Sequence, residues 1–272
     1  MTFSEIAPIV FLVGLIIRSI SKSQKNSRVE QMYSTLLARS RSESEQFSES
    51  DIANLPAGAK KYFQFSMAHD AWLRLGCEIR MKGRCSMGGS RWKKYQKFTA
   101  KEVLARPQQV VWLAHTFSGW VSVFHAFDVS FEGDSWSVFY YSGYSQMTPS
   151  NRRMVLARTI ADVLFVPAAL LPRYGTRWED LGGSRFLVHT NIRQVPCKLE
   201  FALNDDGSVK SVDVRDWGTT DSGCLNGQLT LWVQESAWFD DYRIPRSIVC
   251  STFVGGLDYD FLDINLEYVG FR

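Results

Sequence analysis

A mainly β (α+β) fold is expected: a curved antiparallel sheet or half-barrel of about ten strands, one long helix against its concave face, and a membrane-anchor helix at the N-terminus. Three observations predict it. From Trp72 onward the hydrophobic period is two, with Leu73, Leu75, Cys77, Ile79 and Met81 alternating with Arg74, Glu78, Arg80 and Lys82. Such stretches follow one another across short turns, without the βαβ alternation of a parallel sheet. The chain has 272 residues, 45% hydrophobic and 14% aromatic, enough to bury one large core.

The elements follow in order. Ile6 to Ile17 is an uninterrupted apolar run of 12 residues between Glu5 and Arg18, roughly 18 Å long as a helix against a hydrocarbon core of ~30 Å. Residues 1–20 are expected to be a membrane anchor, extended by Phe3 and Ile20 if Glu5 and Arg18 snorkel to the interfaces. The alternative is an amphipathic or core helix. Arg18, Lys22, Lys25 and Arg28 follow the run, which puts the body on the cytoplasmic side of a single-pass or peripheral anchor. Residues 21–46 are Ser-rich and read as a tether, with a short helix near Val29 to Leu37. A single β-rich domain is expected over 47–272, opening with a short helix at Leu55 to Phe63.

Strands are expected from Trp72, then over 92–102, 109–117, 120–130 and 135–142. One helix follows over about 149–166, with Thr148 or Ser150 as cap and Pro149 in its first turn. Strands resume over 184–193, 195–203, 208–217, 228–235, 244–254 and 257–270, and Asn204-Asp-Asp-Gly207 is the clearest hairpin turn.

Net charge is only +3 but uneven: residues 51–106 hold 12 basic and 4 acidic side chains, residues 107–272 hold 13 and 19. The run Arg91-Trp-Lys-Lys-Tyr-Gln-Lys97, with Lys101, Arg80, Lys82 and Arg84, interleaves aromatics and cations as nucleic-acid surfaces do. No nucleic-acid module accompanies it, so a solvated strand face leads, a membrane-facing patch follows, and nucleic acid is not the expected partner. Cys77, Cys85, Cys197, Cys224 and Cys250 lack metal-ligand spacing and read as reduced thiols.

Enzyme signatures fail on inspection. Gly133-Asp-Ser135 lacks a nucleophile elbow, no phosphate-binding glycine loop occurs, and His69, His115, His125 and His189 have no metal-ligand spacing. Asp258, Asp260 and Asp263 read as a solvent-facing strand rather than a cation site. No metal or cofactor is expected. Trp112, Trp136 and Trp232 lie in apolar strands and read as core.

The segment Arg158-Thr-Ile-Ala-Asp-Val-Leu-Phe-Val-Pro-Ala-Ala-Leu-Leu-Pro172 is different. Arg158 and Asp162 stand four residues apart with the base N-terminal, the less favourable order against a helix dipole, so local helix stability does not explain the pair. Periodicity favours an amphipathic helix with the pair at a wet edge; the alternative points the pair into a curved sheet, holding strand residues or a ligand's head group.

This segment, together with Leu55-Pro56 and Lys61-Tyr62-Phe63, Trp92 with Phe98 to Ala100, Val111-Trp-Leu-Ala114 and Arg243-Ile-Pro245, resembles an uncharacterised, mostly bacterial family known only as a domain of unknown function. The resemblance runs over roughly 47–270, with Asp162, Thr159, Phe165 and Ala168 where the family carries Glu, Tyr, Trp and Thr. It implies a shape like the curved half-barrels of bacterial lipoprotein carriers. It also implies an inward-facing Arg158–Asp162 pair and extends to Trp178-Glu-Asp180 and Arg215, which the residues alone read as a Trp packed at a turn and a strand-face Arg. Candidate ligand-binding residues are therefore Arg158, Asp162, Trp112, Trp178 and Arg215. The expected function is a membrane-tethered binding or carrier domain for a hydrophobic, lipid-like molecule, with membrane lipid as a second partner. The alternatives are an enzyme using Arg158 and Asp162 with Asp128 or Arg215, and an interaction module without ligand.

Overall fold

Apolar and polar residues alternate along most strands, so each strand presents two different faces and the sheet separates two cores. The computed structural model describes residues 26–40, 45–86, 95–105, 109–118, 121–132, 134–141, 144–146, 162–192, 195–215, 229–254 and 257–272. Among these, β1 (Gly76–Ser86), β2 (Tyr95–Ala105), β3 (Gln109–Ser118), β4 (Val121–Phe131), β5 (Asp134–Tyr141) and β6 (Tyr144–Gln146) form one antiparallel meander. A second contains β7 (Arg177–Gly182), β8 (Arg185–Ile192), β9 (Val195–Leu203), β10 (Val209–Arg215), β11 (Leu229–Phe239), β12 (Tyr242–Val254) and β13 (Leu257–Phe271). Antiparallel pairing of β1 with β13, Cys77 opposite Phe271, joins them into one open, curved sheet of 13 strands, with β6 and β7 at its edges.

The mainly β antiparallel expectation holds, with more strands than the ten or so expected. The additions are β6, only three residues long, and β7, where Trp178 stands in an edge strand rather than at a turn. The Asn204–Gly207 hairpin joins β9 to β10 as expected. Gly207 has φ +88° and a Cβ there would lie 2.3 Å from the Lys61 carbonyl oxygen, so two constraints require glycine.

The larger core lies on the inner face. Helix α2 (Ala57–Ser66) crosses it, burying Tyr62 and Phe63 against Trp178, Phe186 and Phe201. The chain leaving α2 is fastened by Tyr242, whose hydroxyl donates to the Trp72 carbonyl at 2.7 Å, accepts the Arg74 N–H at 2.9 Å, and whose ring stacks on Phe271. Further along, the residues through 161 of the helix expected over 149–166 lie outside the described residues. From Val163 the path is a series of 3-10 turns, Val163–Phe165, Pro167–Leu170 and Pro172–Tyr174, rather than α-helix to 166. Pro167 and Pro172 each lack the N–H that would continue a helix.

The smaller core lies on the outer face of β2–β5. Helix α1 (residues 26–39) docks there through Val29, Tyr33 and Leu36, against Val103, Ala105, Val111, Leu113, Phe127, Val129, Phe131 and Val138. This part of the segment read as a tether is therefore packed structure. The anchor expected over 1–20 lies outside the described residues, and among those described no helix is long and apolar enough to cross a membrane.

Three cations of the basic strand face are ion-paired within the fold. Lys82 meets Glu267 and Arg84 meets Asp263 across β1–β13, and Lys101 meets Glu30 of α1, each at 2.6 Å. A solvated, ion-paired face accounts for these residues. Arg91 to Lys94 lie outside the described residues.

Candidate functional site

Strand register places a polar row within the inner, apolar face. Ile79 on β1 stands opposite Glu102 on β2, Glu102 opposite Trp112 on β3, Trp112 opposite Asp128 on β4, and Asp128 opposite Ser137 on β5. Glu102 is fully buried, and Trp112 and Asp128 are each 8% exposed. Ser137 Oγ donates to Asp128 Oδ1 at 2.5 Å. One row along the strands, Ala100, Ala114 and Ala126 stand side by side as a floor of small residues. Beyond them Thr116 is 1% exposed, and its hydroxyl has no hydrogen-bond partner. An orphaned buried hydroxyl costs about 1 to 3 kcal/mol.

Asp162 enters this face from the crossing segment, at the start of the first 3-10 turn, and is itself buried. Its position is reported by Cys77. Burial raises that thiol's pKa well above its ordinary value, and the nearby carboxylates of Glu102 and Asp162 raise it further. Cys77, Glu102 and Asp162 are thus neighbours around one point where β1 and β2 meet the crossing segment.

Of the residues expected from sequence, Asp162 and Trp112 are brought to this face. Arg158 lies outside the described residues. Trp178 is in β7 at the sheet's edge, where its Nε1 donates to the Leu170 carbonyl at 3.1 Å and its ring packs on Tyr62, Phe63 and Phe201. Arg215 ends β10 opposite Lys198, seven strands from β4 in sheet order. Trp232, read as core, is 41% exposed. Sequence reasoning missed Glu102 and Thr116. Each sits at an apolar phase of its strand, Glu102 between Ala100 and Leu104 and Thr116 after Trp112 and Ala114, and that break in alternation was the available signal.

The remaining polar candidates are engaged elsewhere. Asp260 accepts from Ser251 and Asp263 from Arg84, while His189 lies between Arg177 and Glu179. Among the described residues no group of three or more His, Cys, Asp or Glu is arranged to hold a metal ion.

Residues 45–258 match the model of a family described as a family of unknown function (DUF6544), and the chain belongs to that family. No curated protein matches it. Among solved structures it is similar to a domain from Vibrio parahaemolyticus named for outer membrane lipoprotein sorting, at 11% identity, covering 73% of this chain and 86% of that one, with a TM-score of 0.41. It is similar to a DUF1329 family protein from Desulfovibrio piger at 8% identity, with 73% and 86% coverage and a TM-score of 0.43. It is also similar to a LolA superfamily protein from Nitrosomonas europaea at 8% identity, with 79% and 92% coverage and a TM-score of 0.39. Likeness at this level carries no functional weight.

Proposed function

We propose that this member of a family without assigned activity binds a hydrophobic, lipid-like ligand on the inner face of β1–β5, and that residues 6–20 hold it at a membrane. The observation that carries the reading is the company of Thr116. A buried hydroxyl without a partner, two carboxylates and an alanine floor share a face that is otherwise apolar. Such a surface suits a molecule with an apolar body and a small polar end rich in hydrogen-bond donors. The row is buried, so the ligand reaches it only when whatever covers the inner face opens. In this reading the helix expected from 149 lies along the same face only as far as Asp162, and Arg158 stands one turn before Asp162 as its counter-charge. The similarity to a protein named for lipoprotein sorting agrees with the proposal without supporting it.

The domain organisation proposed with it is an anchor over 1–20, a short connection, and one β-rich domain over 47–272 with α1 docked on its outer face. The basic residues Arg18, Lys22, Lys25 and Arg28 keep that domain on the cytoplasmic side.

Native mass spectrometry of the full chain, extracted gently, tests the binding. A co-purified lipid-sized adduct is expected, and it should be lost from Thr116→Val and Glu102→Gln proteins that remain folded. An adduct unchanged by both substitutions, or none from the wild-type chain, overturns the site. For the anchor, the full chain should sediment with membranes while a form starting at Asn26, which keeps α1 whole, stays soluble. Equal solubility of the two forms overturns tethering.

A further inference from the structure

His115 and His125 sit directly opposite one another on β3 and β4, on the outer face rather than the ligand face. They are the next cross-strand pair beyond Leu113 and Phe127, which are sealed under α1, and both histidines are half-buried. Their Nδ1 atoms are 2.6 Å apart, the ring centroids are 4.6 Å apart and the ring planes meet at 87°. The two Nδ1 atoms therefore face each other across one shared proton, beside the apolar wall of Leu113 and Phe127.

We propose that this pair is a two-imidazole site for a divalent transition-metal ion, Cu²⁺ or Ni²⁺ in preference to Zn²⁺. The ion takes the place of the shared proton, which moves to Nε2 of the same ring, so that each neutral ring offers its Nδ1 lone pair and water fills the remaining positions. Metal–nitrogen bonds of about 2.0–2.1 Å set two donors about 2.9 Å apart at a right angle and about 3.4 Å apart at a tetrahedral angle. From 2.6 Å, the square-planar or tetragonal arrangement of Cu²⁺ and Ni²⁺ needs the smaller opening, a few tenths of an ångström with a tilt of each ring off the line between them. Strand pairing supplies what the sequence spacing hides. Residues ten apart along the chain become nearest neighbours because the β3–β4 hairpin folds between them. Cross-strand opposition also fixes both backbones, so little ordering is left to the moment of binding.

Titration of the metal-free full chain with Cu²⁺, followed by electron paramagnetic resonance, tests this. One ion per chain with hyperfine structure from two equatorial nitrogens is expected. His115→Gln and His125→Gln should each weaken binding at least tenfold and halve the nitrogen count, while His69→Gln and His189→Gln leave both unchanged. Unaltered binding in the first two variants overturns the site. Should either variant misfold, the wild-type chain still decides: at substoichiometric Cu²⁺ the imidazole resonances of His115 and His125 broaden first, and earlier broadening at His69 or His189 refutes the proposal.

Discussion

The two faces of β2–β4 are built from alternate residues of the same strands and differ in what they tolerate. Toward α1 stand Val103, Ala105, Val111, Leu113, Phe127 and Val129, all buried, all apolar, closed by one helix. Toward the inner core the intervening positions are Glu102, Leu104, Val110, Trp112, Asp128 and Ser130, equally buried but mixed in character. A carboxylate out of water gives up several kcal/mol of hydration, which only specific partners return. The part of the outer face sealed under α1 is thus what a sheet looks like when stability alone chooses its residues. The inner face carries polar groups that packing does not ask for, and for that reason it is the face to which function is assigned.

The sharpest way to break this contrast is to damage the outer face. Phe127→Ala removes a fully buried ring beneath α1 and should cost about 3 to 5 kcal/mol in urea unfolding while leaving any bound ligand in place. Loss of the ligand from folded Phe127→Ala protein would show that the two faces do not act separately. On the inner face Ser137→Ala deletes the donor to Asp128 and should cost about 1.5 to 3 kcal/mol. Thr116→Val should run the other way, raising stability by about 1 kcal/mol through removal of the orphaned hydroxyl, with ligand retention reduced. A destabilised Thr116→Val protein would mean that the hydroxyl serves the fold.

Alkaline pH sharpens the comparison further. The Cys77 thiol is raised in the folded state by burial first, then by Glu102 and Asp162. Its neutral form therefore favours folding fully below the unfolded thiol value of about 8.5, and that contribution is lost as pH climbs above it. The unfolding midpoint of the wild-type chain should fall more steeply from pH 8 to 10 than that of Cys77→Ala. Parallel curves would mean that the folded thiol titrates as it does in the unfolded chain, and so is not buried beside the carboxylates. The smallest effect belongs to the rim of the outer face, where Glu30→Ala breaks the exposed pair with Lys101 and should cost about 0 to 1 kcal/mol by the same unfolding assay.

Much of this architecture was legible in the alternation of residues. Leu73 to Met81, Val195 to Leu203 and the Asn204–Gly207 turn announce strands and a hairpin with no knowledge of what they pack against. β7 was not legible, because Arg177, Glu179 and Asp180 surround a single buried Trp178 and an edge strand has little apolar face to show. The docking of α1 was hidden for a similar reason: only Val29, Tyr33 and Leu36 are fully buried in a Ser-rich, charged stretch. Asp162 stood out through its spacing from Arg158. The row to which it belongs did not, since Glu102, Trp112, Asp128 and Ser137 become neighbours through register alone. His115 and His125 were read as lacking metal-ligand spacing for the same reason.

The seam between β1 and β13 bears on how the chain reaches this structure. Each meander is assembled from hairpins between successive strands, most of which close quickly because their loops are short. The seam instead pairs Cys77 with Phe271, and the Arg272 N–H donates to the Gly76 carbonyl at 2.9 Å, so it cannot form until β13 has been synthesised. Before that moment two half-sheets coexist, each with a long unpaired edge available to a neighbouring chain. The residues of β13 therefore govern whether the halves zip into one sheet or aggregate.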